Sequence, residues 1–166
     1  MATILSAPAQ EAARVLQETG ARVPVNPVFI AHRLKATVKA ATFSRPDVAG
    51  ALQPSDSGWI LYVRSSDSIR RQRFTIAHEL GHLLLHVQEH PGGMVDEDIN
   101  FFRTDGNVEG DRRQEIEANQ FAAELLMPEA AVIAAYKQNS NLSTIARRFG
   151  VSTEAMGYRV SALGLR

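Results

Sequence analysis

Cysteine is absent from the chain. No disulfide framework can staple the fold, no thiolate can serve as a metal ligand, and nothing points to an oxidising compartment. Charge of one sign is also lacking: 18 basic and 18 acidic residues leave a formal net charge of zero. That balance removes any global electrostatic case for nucleic acid or an anionic membrane as partner. No apolar run approaches membrane-spanning length, and Met1-Ala2-Thr3-Ile4-Leu5 lacks the basic region and long apolar run of a secretion signal. Cytoplasm is therefore the expected compartment. Internal repeats and low-complexity tracts are missing too. A chain of 166 residues can nevertheless bury about two-thirds of its unfolded surface, enough for one core without staples.

The most informative stretch present is His78-Glu79-Leu80-Gly81-His82. On a helix, His78 and His82 lie about one turn apart and roughly 40° round the axis, so both imidazoles can reach one ion. Glu79, about 100° from His78, can reach the water-occupied position of such an ion and take a proton from it. The run from Ile69 to Val87 carries no proline and only Gly81 among glycines, which predicts a long helix. Its residues Phe74, Ile76, Ala77, Leu80, Leu83, Leu84 and Leu85 wrap most of the circumference, as a buried helix requires. His78, Thr75, His82, His86 and Glu79 gather on one side, where a cleft is expected. The bland alternative is a set of core or solvated histidines that spell the motif by chance. His86 drifts too far along the helix to share the ion, so it supports the ligands from behind or lines the cleft. His90, before Pro91-Gly92-Gly93, reads as a loop residue.

Two histidines leave an ion short of one protein ligand, and without cysteine the third is a carboxylate or the remote His32. Asp111 with Gln114 three residues on resembles a capping box, and Pro128 closes the run, so a helix is expected over 111–127. On its wheel Glu115 falls among Leu126, Asn119, Ala122, Ala123 and Ala118, aimed into the core, where a lone carboxylate is costly unless a metal or a donor compensates it. A buried, hydrogen-bonded acid without metal is the alternative. Glu117 falls near 200° from Glu115, beside Arg113, Gln120 and Glu124, on a polar face expected in water.

The stretches Arg71-Gln72-Arg73-Phe74-Thr75-Ile76-Ala77-His78-Glu79-Leu80-Gly81-His82 and Glu115-Ile116-Glu117-Ala118-Asn119-Gln120-Phe121-Ala122-Ala123-Glu124-Leu125-Leu126-Met127-Pro128 resemble the two signature blocks of the ImmA/IrrE family of metallopeptidases. The likeness spans about residues 40 to 130, and the C-terminal segment resembles that family's tail. It implies a zinc peptidase in which His78, His82 and Glu115, the last four before Asn119 as in E-x-x-x-[DN], are the zinc ligands and Glu79 is the general base. Another divalent transition metal could take the place of zinc. The implied substrate is a specific regulatory protein, often a helix-turn-helix repressor. A different class of function is a toxin or regulator that binds a repressor-like antitoxin stoichiometrically, without turnover.

The expected organisation is one α+β domain over 1–166: N-terminal helices in 1–36, a small sheet in 37–65, the metal-site core in 68–128 and C-terminal helices in 129–166. A helix from Ser6 to Thr19 ends at Gly20, and a second starts with Asn26 as cap and Pro27 at the first helical position. Short β-prone runs at Thr37–Phe43, Val48–Leu52 and Trp59–Arg64 read as an antiparallel meander. An edge strand of it, beside the histidine helix, could hold an extended substrate through main-chain bonds. From Gln88 to Gly110 no periodicity is visible. Glu89, Asp96, Glu97, Asp98, Asp105 and Glu109 outweigh Arg103 there, and a solvated loop is the default, a gate selecting basic substrate the alternative. Leu142–Phe149, Gly150-Val151-Ser152 and Thr153–Leu163 give a helix-turn-helix outline. Glu154 opens the would-be recognition helix and base-reading side chains are sparse, so packing on the core is expected rather than DNA contact. For an oxyanion donor, Tyr62, Tyr136, Tyr158, His86 and the arginines stand as candidates.

Overall fold

Local capping rules account for most of the helix boundaries. In the computed structural model, which describes residues 5–87 and 108–165 and the side chains of the second span from residue 112, α1 covers Ala7–Thr19 and stops at Gly20 in a left-handed conformation. The Asn26 side chain accepts hydrogen bonds from the backbone N–H groups of Val28 and Phe29, starting α2 (Pro27–Arg33) with proline in its first turn. Ser68 caps α3 (Ile69–Leu85) by accepting from Arg71 N. A longer α4 (Val108–Leu126) begins earlier than the expected start at Asp111 and ends before Pro128. Three short helices follow, α5 (Glu129–Gln138), α6 (Leu142–Phe149) and α7 (Thr153–Ala162), the last two capped by Asn141 and Ser152. No described helix is long and apolar enough to cross a membrane.

The sheet has three strands, β1 (Ala36–Ala41), β2 (Gly50–Ser55) and β3 (Gly58–Arg64), in the order β1-β3-β2. The α+β architecture is as expected, but the sheet is mixed rather than an antiparallel meander. β2 and β3 form the antiparallel hairpin, whereas β1 pairs parallel to β3, with Val38 opposite Leu61 and Ala40 opposite Val63. The physical reason is burial. Trp59-Ile60-Leu61-Tyr62-Val63 is the most apolar of the three runs and takes the central place, so the chain after β1 crosses to the far edge before it turns back. β2 also runs on through Pro54, opposite Trp59, which an edge strand tolerates because its outward side needs no ladder donor.

One continuous apolar core links the sheet and the helices. Leu52, Leu61, Ile76, Leu80, Phe121, Leu125, Val132, Phe149 and Met156 all belong to it. Each such side chain contributes about 1.5 to 3 kcal/mol by leaving water. α3 runs through the middle of that core, buried at Ile76, Ala77, Leu80, Gly81 and Leu83. The Gln72 side chain donates to Arg64 O at 3.0 Å and to Asp67 O at 3.2 Å, tying the end of β3 to the first turns of α3. From the same helix Arg73 donates to Val25 O at 2.7 Å and to Gly150 O at 3.0 Å. It thereby fastens the turn between α6 and α7, where Gly150 adopts a left-handed φ of 68°, to the core. The helix-turn-helix outline is real, and it packs on the rest of the chain as expected.

Candidate metal centre

The side chains of His78 and His82, one turn apart on α3, meet Glu115 from α4. His78 Nε2 stands 3.2 Å from Glu115 Oε2 and His82 Nε2 stands 3.1 Å from Glu115 Oε1. The two Nε2 atoms are 3.0 Å apart. These three residues are the group that could hold a metal ion among the described residues, their ligand atoms all lying within 4.8 Å of one another. His32, the remote alternative, is not in that group.

What makes the α3–α4 approach possible is a glycine. A Cβ on Gly81 would come within 3.1 Å of Ala118 Cα and 3.2 Å of Ala118 O, so the helices touch backbone to backbone between the two histidines.

The hydrogen bonds behind the rings decide what the cluster can bind. His78 Nδ1 lies 2.9 Å from Asn119 Oδ1, and since an amide oxygen only accepts, the neutral ring carries its proton on Nδ1 and offers the lone pair of Nε2. His82 Nδ1 is likewise engaged from behind, 3.0 Å from His86 Nδ1. Two imidazole nitrogens and a carboxylate therefore converge as acceptors, a donor set that suits a borderline cation such as zinc. The residues present fit the metal.

Electrostatics bears on the same point. Whenever Nε2 of His78 or His82 carries a proton in place of a cation, its hydrogen bond to Glu115 holds that carboxyl well below the usual range, against the opposing effect of burial. Burial disfavours a charged His78, but the hydrogen bond to Glu115 and the charges of Glu79 and Glu115 outweigh it and its pKa is raised. At His82 burial prevails and the pKa is lowered. Glu79 is pushed up to about 7, chiefly by burial, with the nearby His78 opposing and Glu115 reinforcing.

The cluster borders a cleft of about 1390 Å³. Its walls are the segment from Arg45 to Ala51, the α3 residues Ser68, Arg71, Thr75, His78 and Glu79, the α4 residues Arg112, Glu115 and Asn119, and Ser152, Glu154, Ala155 and Tyr158 at the start of α7. β2 supplies the edge strand. A Cβ on Gly50 would stand 2.5 Å from Thr75 Cγ2 and 2.8 Å from Glu79 Oε1, so the strand backbone begins directly against the Glu79 carboxylate.

Three acids sit otherwise than their helix wheel suggests. Glu115 is not in the core: its side chain keeps 55% of its surface exposed at the cleft. Glu117 is not simply in water, since its Oε2 lies 3.0 Å from His86 Nε2 and its Oε1 accepts from Arg113 Nε at 2.7 Å. Glu124, grouped with Glu117 on the polar face, is buried at 4% exposure. It accepts from Glu129 N at 3.1 Å and pairs with Arg159, because α5 starts beside it and α7 folds back over it. His86 is buried behind His82 and is no cleft wall. Of the oxyanion candidates, Tyr158 and the arginines Arg45, Arg70, Arg71 and Arg112 line the cleft. Tyr62 instead donates to Gln53 Oε1 at 2.9 Å, and Tyr136 packs on the core. The possible gate at Gln88–Gly110, with His90, lies outside the described residues up to position 107; its last residues, Val108 to Gly110, belong to α4.

An α+β fold whose central helix carries H-E-x-x-H, with a carboxylate brought to it by a second helix, defines a zincin-like protein. Its sequence matches the model of the IrrE N-terminal-like domain, Peptidase_M78, over residues 31–161, and the chain belongs to that family. No curated protein matches it. Among solved structures it is similar to a Mycobacterium tuberculosis transcriptional regulator, at 21% identity and a TM-score of 0.64 over 93% of this chain. That likeness concerns the fold, and this chain spans 46% of the regulator's length.

Proposed function

We propose that the protein is a zinc-dependent endopeptidase that cleaves a specific regulatory protein, a helix-turn-helix repressor being the substrate class the family resemblance favours. The observation that carries this reading is the convergence of His78 Nε2, His82 Nε2 and Glu115 beside Glu79, at the wall of a cleft that a sheet edge borders. His78, His82 and Glu115 would hold the metal, which when bound supplies Lewis acidity for the scissile carbonyl and acidifies water. Glu79 accepts the proton of the attacking water and returns it to the leaving amine, a task suited to a carboxyl raised toward neutrality. The outer edge of β2 has no strand partner among the described residues, and an extended substrate segment added there gains main-chain hydrogen bonds that place it against Glu79. Tyr158 lines the same cleft and would contact such a segment.

A second reading, stoichiometric binding of a repressor-like partner without turnover, draws support from the helix-turn-helix pair at the cleft wall and from the regulator that shares the fold. Turnover separates the two. Incubating the protein and zinc with a candidate helix-turn-helix repressor, at substoichiometric enzyme, should yield fragments. Glu79→Gln should keep its zinc and lose cleavage by orders of magnitude, and Glu115→Ala should lose the zinc itself. Intact repressor in a stable complex would favour the binding reading, and undiminished cleavage by Glu79→Gln would remove Glu79 from the role of base.

A further inference from the structure

The side chains behind His82 form a chain of their own. Glu117 Oε2 lies 3.0 Å from His86 Nε2, and His86 Nδ1 lies 3.0 Å from His82 Nδ1. His86 is 2% exposed and meets a side-chain partner at each of its two nitrogens. Only one arrangement of protons satisfies this row with neutral rings. A carboxylate can only accept, so His86 must carry its proton on Nε2; its Nδ1 is then an acceptor, and His82 must donate to it from Nδ1. The lone pair of His82 is thereby fixed on Nε2, the atom that faces His78 and Glu115.

We propose that Glu117 and His86 are positioning residues that lock the ring and tautomer of His82 for metal binding. The inference rests on the metal-centre reading above and adds to it a carboxylate–imidazole–imidazole row reaching the site from behind. His78 is held differently, by the neutral amide of Asn119, so the two ligand histidines are supported unequally and the anionic support falls on His82. Arg113, donating to Glu117 Oε1, orients that carboxylate. An ionised partner behind a ligand histidine also makes its far nitrogen a better electron donor to a cation.

Two measurements test this. In the metal-free protein, long-range proton–nitrogen NMR correlations of the histidine rings should show His82 protonated on Nδ1 and His86 on Nε2, and Glu117→Ala should turn both rings into tautomer mixtures. Zinc affinity, from competition with a chromophoric chelator, should weaken by about 10- to 100-fold in Glu117→Ala, the usual effect of removing such a partner. Glu117→Gln, whose amide oxygen still accepts from His86, should recover part of the loss, and Gln120→Ala on the same helix should match wild type. Melting of the metal-free Glu117→Ala protein should stay close to wild type. Wild-type affinity in Glu117→Ala, or an Nε2-protonated His82 in the native chain, would overturn the assignment. So would a loss of affinity matched by an equal fall in metal-free stability with tautomers unchanged. If wild type takes up no zinc, the metal reading fails, while the tautomers still decide the row.

Discussion

Gly81 and Ala118 bring the backbones of α3 and α4 together within the turn that carries the two histidines, with no room for a side chain on the first of them. The atoms a Cβ would strike are Ala118 Cα and O, which cannot rotate away. Gly81→Ala should therefore part the helices by a few tenths of an ångström and cost about 1 to 3 kcal/mol, as overpacking does. Because Glu115 rides on α4, zinc affinity should fall with stability. Adding Ala118→Gly should not rescue either, since the obstruction is backbone. Wild-type melting and zinc content in Gly81→Ala would show that the contact is looser than described.

Gly50 poses the complementary test, because the atoms it excludes belong to Thr75 and Glu79 rather than to a metal ligand. Gly50→Ala should displace the Glu79 carboxylate while zinc stays bound. A misplacement of about 1 Å can cost on the order of 100-fold in rate. In the double variant with Thr75→Ser, which removes the closest methyl, stability should recover and the rate should not. Full activity in Gly50→Ala would argue that Glu79 need not sit where the strand begins.

Glu79 also has a pH signature in the metal-free protein. Its pKa is about 7 in the fold, against about 4.3 for an unfolded chain. Below about 4.3 both states hold the proton and the group has no effect. As pH rises to 7 the unfolded chain releases its proton first, so stability drops, and above 7 the full penalty, of order 1 to 3 kcal/mol, is in place. Glu79→Gln mimics the protonated form and should be more stable than wild type at pH 8, with the gain fading toward pH 4. Glu115, whose pKa is depressed, has the opposite sign and loses its contribution as pH falls below its unfolded value, but it is common to both proteins. Coincident urea curves at pH 8 would mean that an ionised Glu79 carries no burial cost.

The Glu124–Arg159 pair ties α7 to the end of α4, with Arg159 also donating to Met127 O at 3.0 Å. Breaking a buried pair by removing one partner typically costs about 3 to 5 kcal/mol, so Glu124→Ala should melt at a markedly lower temperature. Replacing both partners with apolar residues of similar size, Glu124→Leu and Arg159→Met, should recover much of the loss. Additive losses in the double variant would show that the two side chains do not act as a pair.

The helices and the residues that meet in the candidate metal centre were legible in the sequence because their signals are local. Asn26, Pro27 and Gly20 mark helix ends wherever the helices later pack, and the spacing of His78 and His82 is a property of one helix. What the wheel could not deliver was direction relative to other elements. Glu115 shares an arc with Leu126 and Ala118, yet α3 leaves a cleft there and the carboxylate opens into it. Glu117 and Glu124 lie on the arc that reads as solvent, and His86 and Arg159 arrive from distant parts of the chain to meet them. The parallel pairing of β1 with β3 is non-local in the same way. His86 alone gave a hint, as the next residue in a four-residue series.

Helix α7 turns its first residues, Ser152, Glu154, Ala155 and Tyr158, toward the cleft, and these are the positions from which a recognition helix reads a duplex. In this chain the same residues form part of the mouth through which His78 and Glu79 are reached. That end of α7 is thus committed to the rim of the cleft, and a change of size or charge at Glu154 or Tyr158 alters the entrance to the site from a helix far along the chain.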